Sequence, residues 1–212
     1  MHGSIFADGP KAPPPETIDV PNVIPIFPIP KVVLLPAEVL PLHVFEPRYI
    51  DLVRDAVSSH RVIGIVDVLP GHEDELPGSP PVRNIGCIGF IAAHEELEDG
   101  RFLMWLLGLE RFKIEEELDV PTSYRQVQVR YQPTPESPKR LAGIRPLRQE
   151  LRSLLPNLVD LDDTSREQFA SHMAEVSDAQ LVALAAQILE LGSERKQLLL
   201  ESSTLSDRFL MV

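Results

Sequence analysis

The sequence of 212 residues predicts an α+β protein: a closed or half-closed β-barrel with one early helix, followed by a helical subdomain. Three observations carry this reading. Before residue 133 the apolar residues come in short runs separated by turn signals, with no rhythm of strand and long helix that would mark a doubly wound sheet. Gln132-Pro133-Thr134-Pro135-Glu136-Ser137-Pro138 then places three prolines in seven residues, a stiff connector. Beyond it the apolar spacing becomes helical.

The elements follow in chain order. Residues 1–17 are Pro-rich and polar enough to predict a disordered tail. Eleven of the 21 prolines fall between Pro10 and Pro47, and proline has no N–H to give to a ladder, which excludes continuous helix or a central strand there. From Pro21 onward the prolines alternate with Val23, Ile24, Ile26, Phe27, Ile29 and Val32 to Leu35, an apolar density foreign to a linker. This stretch predicts short strand pieces bent at the prolines along a sheet edge. Val39 to Phe45 is a strand. Glu46-Pro47 opens a helix with Tyr49, Ile50, Val53 and Val57 as its apolar face. Arg61 to Leu69 is β-branched and ends at Pro70-Gly71, hence a strand; residues 70–81 form a polar surface loop.

Ile85 to His94 and Phe102 to Leu107 are two further strands, joined by a hairpin at Asp99-Gly100. Leu109 to Ile114 and Tyr124 to Tyr131 are two more, the last alternating apolar with polar. Phe102 to Leu107 is apolar on both faces and is expected to be central and covered. In the helical part, Leu141, Ile144, Leu147, Leu151, Leu154 and Leu155 share a face, with Pro146 in the first turn or at a kink. Ser165 to Val176 is a second helix. Ser177-Asp178-Ala179-Gln180 is a capping box for Leu181 to Leu191, which Gly192 stops. Ser193 caps the next helix, and Ser206 begins a last short turn.

Composition excludes several functions. Lys+Arg 20 against Asp+Glu 32 gives a net charge of -12, which argues against nucleic acid held by phosphate neutralisation and against anionic lipid. Residues before Arg140 hold 12 basic and 21 acidic groups, the acids clustering at loops. One cysteine excludes a disulfide framework and a multi-thiolate zinc site. No signal-peptide pattern or long apolar run is present, so a soluble cytoplasmic protein is expected.

A search for catalysis finds no engine. None of the eleven glycines precedes a lysine, so no P-loop exists, and no Gly-x-Ser-x-Gly elbow occurs. Gly86-Cys87-Ile88-Gly89 reads as close backbone packing, and Cys87 as an inert core thiol. The six histidines are scattered, with no pair at i, i+4, so no metal and no cofactor are expected. Glu46 and Arg48 read as an ion pair at the strand-to-helix corner. The candidate polypeptide-binding residues are Trp105 and Met104 in the apolar strand, with Pro70, Leu76 and Pro80 in the Pro/Gly loop.

The segment from Ile26 to Tyr49, with Ile26-Phe27-Pro28-Ile29-Pro30 and Leu40-Pro41-Leu42, resembles the opening signature of the Lon protease N-terminal domain. Gly108-Leu109-Glu110-Arg111-Phe112-Lys113-Ile114 resembles that domain's second signature. Glu194 to Glu201 and Ser206-Asp207-Arg208 are similar to its closing helices. Ala37 departs from the pattern, which usually has Gly there; the turn must avoid a positive φ or be strained. The resemblance implies a PUA-like β pseudobarrel over 18–132, a linker at 133–139 and a helical subdomain over 140–212. It implies binding of unfolded or client polypeptide, or an adaptor role beside a protease machine. The chain ends at Val212, before an ATPase or Ser–Lys peptidase module, and is expected to be a stand-alone, non-enzymatic member to which no catalytic residue carries over. A PUA-like barrel also allows a small-ligand or RNA module, which would need a basic patch from Arg83, Arg101, Arg111, Arg125 and Arg130. Oligomeric state is left open.

Overall fold

The computed structural model describes residues 18–76, 78–134 and 138–212. The expected tail 1–17 and the centre of the connector lie outside them. The chain divides into two compact units, Met1–Gln132 and Pro133–Val212. The first holds β1 (Val23–Pro28), β2 (Val39–Val44), helix α1 (Pro47–Val57), β3 (Val62–Val66), a 3-10 turn (Glu73–Glu75), β4 (Ile85–Glu96), β5 (Phe102–Leu118) and β6 (Gln126–Tyr131).

Five of these strands close on themselves. The order β5-β4-β3-β1-β6 returns to β5 through a β5–β6 ladder, and β2 hangs outside the ring, paired among the described residues with β5 alone. All pairings are antiparallel except β1 with β3. Closure depends on the length of β5. Its first half, Phe102 to Leu107, faces β2 and the end of β4, while Phe112 to Leu118 faces β6. Register shifts at Cys87/Gly89, Ile91/Ala93 and Ile114/Glu116 bend the ladders.

Two expectations need correction here. Phe102 to Leu107 and Leu109 to Ile114 are one continuous strand. Gly108 does not punctuate it but permits contact: a Cβ there would stand 2.1 Å from the Leu35 carbonyl oxygen. The proline-rich strand β1 is not at an edge. Val23 to Pro25 pairs with β6 and Ile26 to Pro28 with β3, so each half of the strand uses a different side. A proline in each half therefore interrupts only one of the two ladders.

After β1, Val33, Leu34 and Leu35 run buried toward a turn at Pro36-Ala37. Ala37 has φ 66, so the turn takes the strained alternative. Its N–H donates to the Gly108 carbonyl at 2.7 Å, and the buried Glu38 carboxylate accepts from Leu35 N–H at 2.8 Å. An alanine in the left-handed region is strained, so Ala37→Gly is expected to raise stability by about 1 kcal/mol, measured by urea unfolding. A loss of stability would show that the methyl contributes packing that outweighs the strain.

Helix α1 starts at Pro47 as expected, with Arg48 paired to Glu46 at 3.1 Å. Its buried face is Tyr49, Leu52, Val53 and Ala56, shifted from the expected set; Ile50 and Val57 are only half-buried. The spacing i, i+3, i+4, i+7 keeps the apolar stripe narrow, and small Ala56 lets the helix sit close. The loop at 70–81 is pinned: Arg48 donates to the carbonyls of Leu76 and Gly78, and Arg125 donates to that of Pro80 at 2.8 Å. Within the ring, Ile24, Ile26, Ile88, Phe112 and Val127 are fully buried.

The second unit holds α2 (Pro138–Gly143), α3 (Arg145–Leu158), α4 (Asp163–Glu175), α5 (Asp178–Ile188), α6 (Ser193–Glu201) and α7 (Leu205–Phe209). They pack on one another through Ile144, Leu155, Met173, Leu181, Val182 and Phe209. Pro146 lies in the first turn of α3. The capping box at Ser177 and Gln180 is present. The other ends differ from expectation. Helix α5 stops at Ile188, where Glu190 takes a left-handed φ of 50. Gly192 rather than Ser193 is the N-cap of α6, and Thr204, accepting from Asp207 N–H, caps α7.

Candidate functional site

Strand β2 projects beyond the closed ring, and its sequence Val-Leu-Pro-Leu-His-Val is apolar on both faces. Successive side chains on a strand point to opposite faces. Leu40, Leu42 and Val44 turn inward, opposite buried Leu106, Met104 and Phe102. Val39, Pro41 and His43 turn outward and are exposed, and Phe45 continues the row at 63% exposure. His43 and Phe45 stand edge to face, ring centroids 6.0 Å apart. Directly opposite Val39, Pro41 and His43 on the same face are Leu107, Trp105 and Leu103 of β5, all half-buried. On the far side of β5, Ala93 and Glu95 oppose Trp105 and Leu103. The result is a contiguous apolar face across β2 and β5, bordered by Ala93 and Glu95 of β4, open to solvent on a domain whose other apolar strand residues mostly point inward.

The backbone of β2 is equally one-sided. Gly108 N–H donates to the Glu38 carbonyl at 2.8 Å, which makes Glu38 a hydrogen-bonding position against β5. Alternation in an antiparallel ladder then turns Leu40, Leu42 and Val44 toward β5 and the main chain of Val39, Pro41 and His43 outward. Proline at an outward position removes no bond of the β2–β5 ladder. At the tip of the β4–β5 hairpin, beside the Val44 end of β2, four acids meet two arginines. Arg54 pairs Glu96 at 2.6 Å and Arg101 pairs Asp99 at 2.7 Å. Glu95 and Glu98 have no ion pair among the described residues.

Of the residues expected from sequence, Trp105 lies on this face. Met104 is 0% exposed on the opposite one and cannot meet a partner there. The β-strand alternation that exposes Trp105 is what hides its neighbour. Pro70 is exposed, Leu76 is half-buried and Pro80 is buried, all in the separate loop held by Arg48 and Arg125. Sequence reading missed Phe45 and the outward row of β2, because a segment apolar on both faces gives no sign of which face is wet.

Other features are internally satisfied. A polar recess of about 430 Å³ is lined by Asp51, Arg54, Asp55, Thr122, Ser123 and Tyr124. Within it, Ser123 donates to Asp51 at 2.8 Å and Tyr124 to Asp55 at 2.7 Å. Burial, and then the Asp55 carboxylate, push the Tyr124 phenol far above its ordinary range, so it stays a neutral donor. Cys87 is buried and directs its thiol to the Ile88 carbonyl. The arginines considered for RNA do not make a basic patch: Arg101, Arg125 and Arg130 pair with Asp99, Glu117 and Glu115, and Arg111 is buried. In the helical unit Leu198, Leu210 and Met211 with Arg195 line a small groove of about 200 Å³. Among the described residues no helix is long and apolar enough to cross a membrane.

Comparison with known proteins places this geometry in context. The family model of the ATP-dependent protease La (LON) substrate-binding domain matches residues 23–212. The Lon protease of Dictyoglomus thermophilum is 25% identical over 201 residues, 93% of this chain and 24% of that protein. The Lon protease of Anaeromyxobacter dehalogenans is 28% identical over 199 residues, 92% of this chain and 23% of that one. The chain thus spans about a quarter of the length of the curated relatives it matches. Among solved structures, the N-terminal domain of a Mycobacterium avium complex Lon protease superposes with TM-score 0.68 at 17% identity, covering 89% of this chain and 94% of that one. The Lon N-terminal domain protein from Xanthomonas campestris gives 0.61 at 22% identity, over 89% and 95%. These two likenesses bear on the fold.

Proposed function

Because the chain belongs to the Lon substrate-binding domain family, we propose that it is a non-catalytic, cytoplasmic module that recognises unfolded or partly folded polypeptide. In this reading it presents a client to a larger proteolytic machine. The observation that carries the proposal is the outward row of β2, from Val39 to Phe45, lying beside Trp105 on an open face. Folded proteins hide their apolar side chains and unfolded ones expose them, so an apolar face of this kind discriminates between the two states. The face offers apolar surface, the His43 imidazole and main-chain amides.

Phe45→Asp tests it directly, since the side chain is exposed and its replacement leaves the core intact. Loss of one aromatic anchor, with a charge put in its place, is expected to weaken binding to a reduced, carboxymethylated model protein at least about tenfold. Fluorescence anisotropy gives the affinity and circular dichroism checks the fold. Unchanged affinity in a folded Phe45→Asp protein would place recognition elsewhere, the helical groove at Leu198 and Leu210 being the next surface to probe.

A further inference from the structure

Strand β2 offers more than an apolar surface. Among the described residues it pairs with β5 on one side and with no other strand. Its outward main chain presents the N–H groups of Val39 and His43 and the carbonyls of Val39, Pro41 and His43. An open strand edge is a template for another extended chain, and its hydrogen bonds are indifferent to sequence. The side chains of those same residues are the exposed row, so a strand added here would continue the apolar face with its own alternate side chains. At the Val44 end, the hairpin acids Glu95 and Glu98 stand without ion pairs among the described residues.

We propose that β2 takes up an extended client segment as an added strand, and that the segment it fits is apolar at alternate positions and basic at the end lying toward Phe45. This rests on the reading of the face as a polypeptide site and specifies how that site works. Main-chain pairing supplies affinity for any unfolded chain, while the alternate apolar side chains and the basic end supply selection. Pro41 limits the device. It withholds one outward N–H at the middle of the edge, so two copies of this chain meeting edge to edge would bring proline against proline. The net charge of -12 opposes the same encounter. A basic, unfolded client suffers neither penalty.

Three synthetic peptides test the proposal on the full chain. The first is a ten-residue strand-forming peptide with valine and isoleucine at alternate positions, serine and threonine between them, and two lysines at one end. The other two carry N-methyl groups on alternate residues, one isomer on each edge. Strand addition predicts that one isomer binds at least about tenfold more weakly than the parent and the other binds as the parent does, because alternate amides point to opposite edges. Equal binding by all three leaves the apolar face as the site and overturns strand addition. No binding by any of them overturns the polypeptide reading together with it. Two variants add independent checks. Pro41→Val restores the missing donor and is expected to tighten the parent peptide about three- to tenfold. Tightening that is equal for both N-methyl isomers contradicts the proposal. Glu95→Gln with Glu98→Gln is expected to abolish the preference for lysine over norleucine at the basic end; a preference that survives contradicts the charge selection.

Discussion

Phe112→Ala is expected to lower the stability of the barrel unit by about 3–5 kcal/mol, seen as a fall in the urea midpoint. The ring is 0% exposed in β5, at the point where that strand passes from β4 to β6. It packs over two glycines. A Cβ on Gly64 would stand 2.9 Å from the Phe112 ring, and one on Gly86 2.7 Å from it. The ring therefore fills volume that the two glycines leave vacant, packed among Ile24 and Val66. Phe112→Leu, which keeps most of the volume, is expected to lose less than half as much. A loss below about 1 kcal/mol for alanine would contradict the closed core drawn from the β5–β6 ladder.

The second large effect is expected at Gly108. Gly108→Ala adds one methyl 2.1 Å from the Leu35 carbonyl oxygen and 3.0 Å from its carbon, both backbone atoms that no rotamer change can clear. The contact is clamped by Ala37 N–H to Gly108 O at 2.7 Å and Gly108 N–H to Glu38 O at 2.8 Å. Relief requires the turn before β2 to lift off β5. The expected loss is about 3 kcal/mol or more, at or beyond the usual upper end for overpacking by one methyl. Client binding should fall as well, since those two bonds hold the start of the strand that carries the outward row. Stability within about 0.5 kcal/mol of the parent would mean that β2 does not lie against β5 as described.

Much of the fold was legible from patterns with a single physical meaning. Pro47 at a helix start, Asp99-Gly100 at a hairpin and the Ser177 to Gln180 capping box each satisfy a backbone requirement that few other residues meet. The glycines were harder. Gly100, with φ 82, marks a turn, whereas Gly108 marks an approach of two backbones inside a strand, and the one-letter sequence writes both alike. Helix ends that rely on a residue with positive φ, such as Glu190, carry no sequence sign at all. For the face, Trp105 was visible as a large residue in an apolar run, but its partners were not. Val39 to Phe45 is apolar on both faces apart from His43, so only the register with β5 tells which residues meet water. Met104 was singled out with Trp105 for the same reason and lies on the opposite side.

The way β1 divides itself between two neighbours sets the order in which the barrel can be made. Val23 pairs with Gln128 and Ile24 with Val127, roughly a hundred residues later in the chain, a span whose loop entropy must be overcome before the ladder returns anything. During synthesis the second half of β1 can find β3 early, whereas the first half must wait for β6. Until then Val23 to Pro25 and the second half of β5 are unpaired strand edges on a nascent protein. Its prolines have a second use in that interval: Pro21 and Pro25 make the waiting segment a poor template for association with other chains.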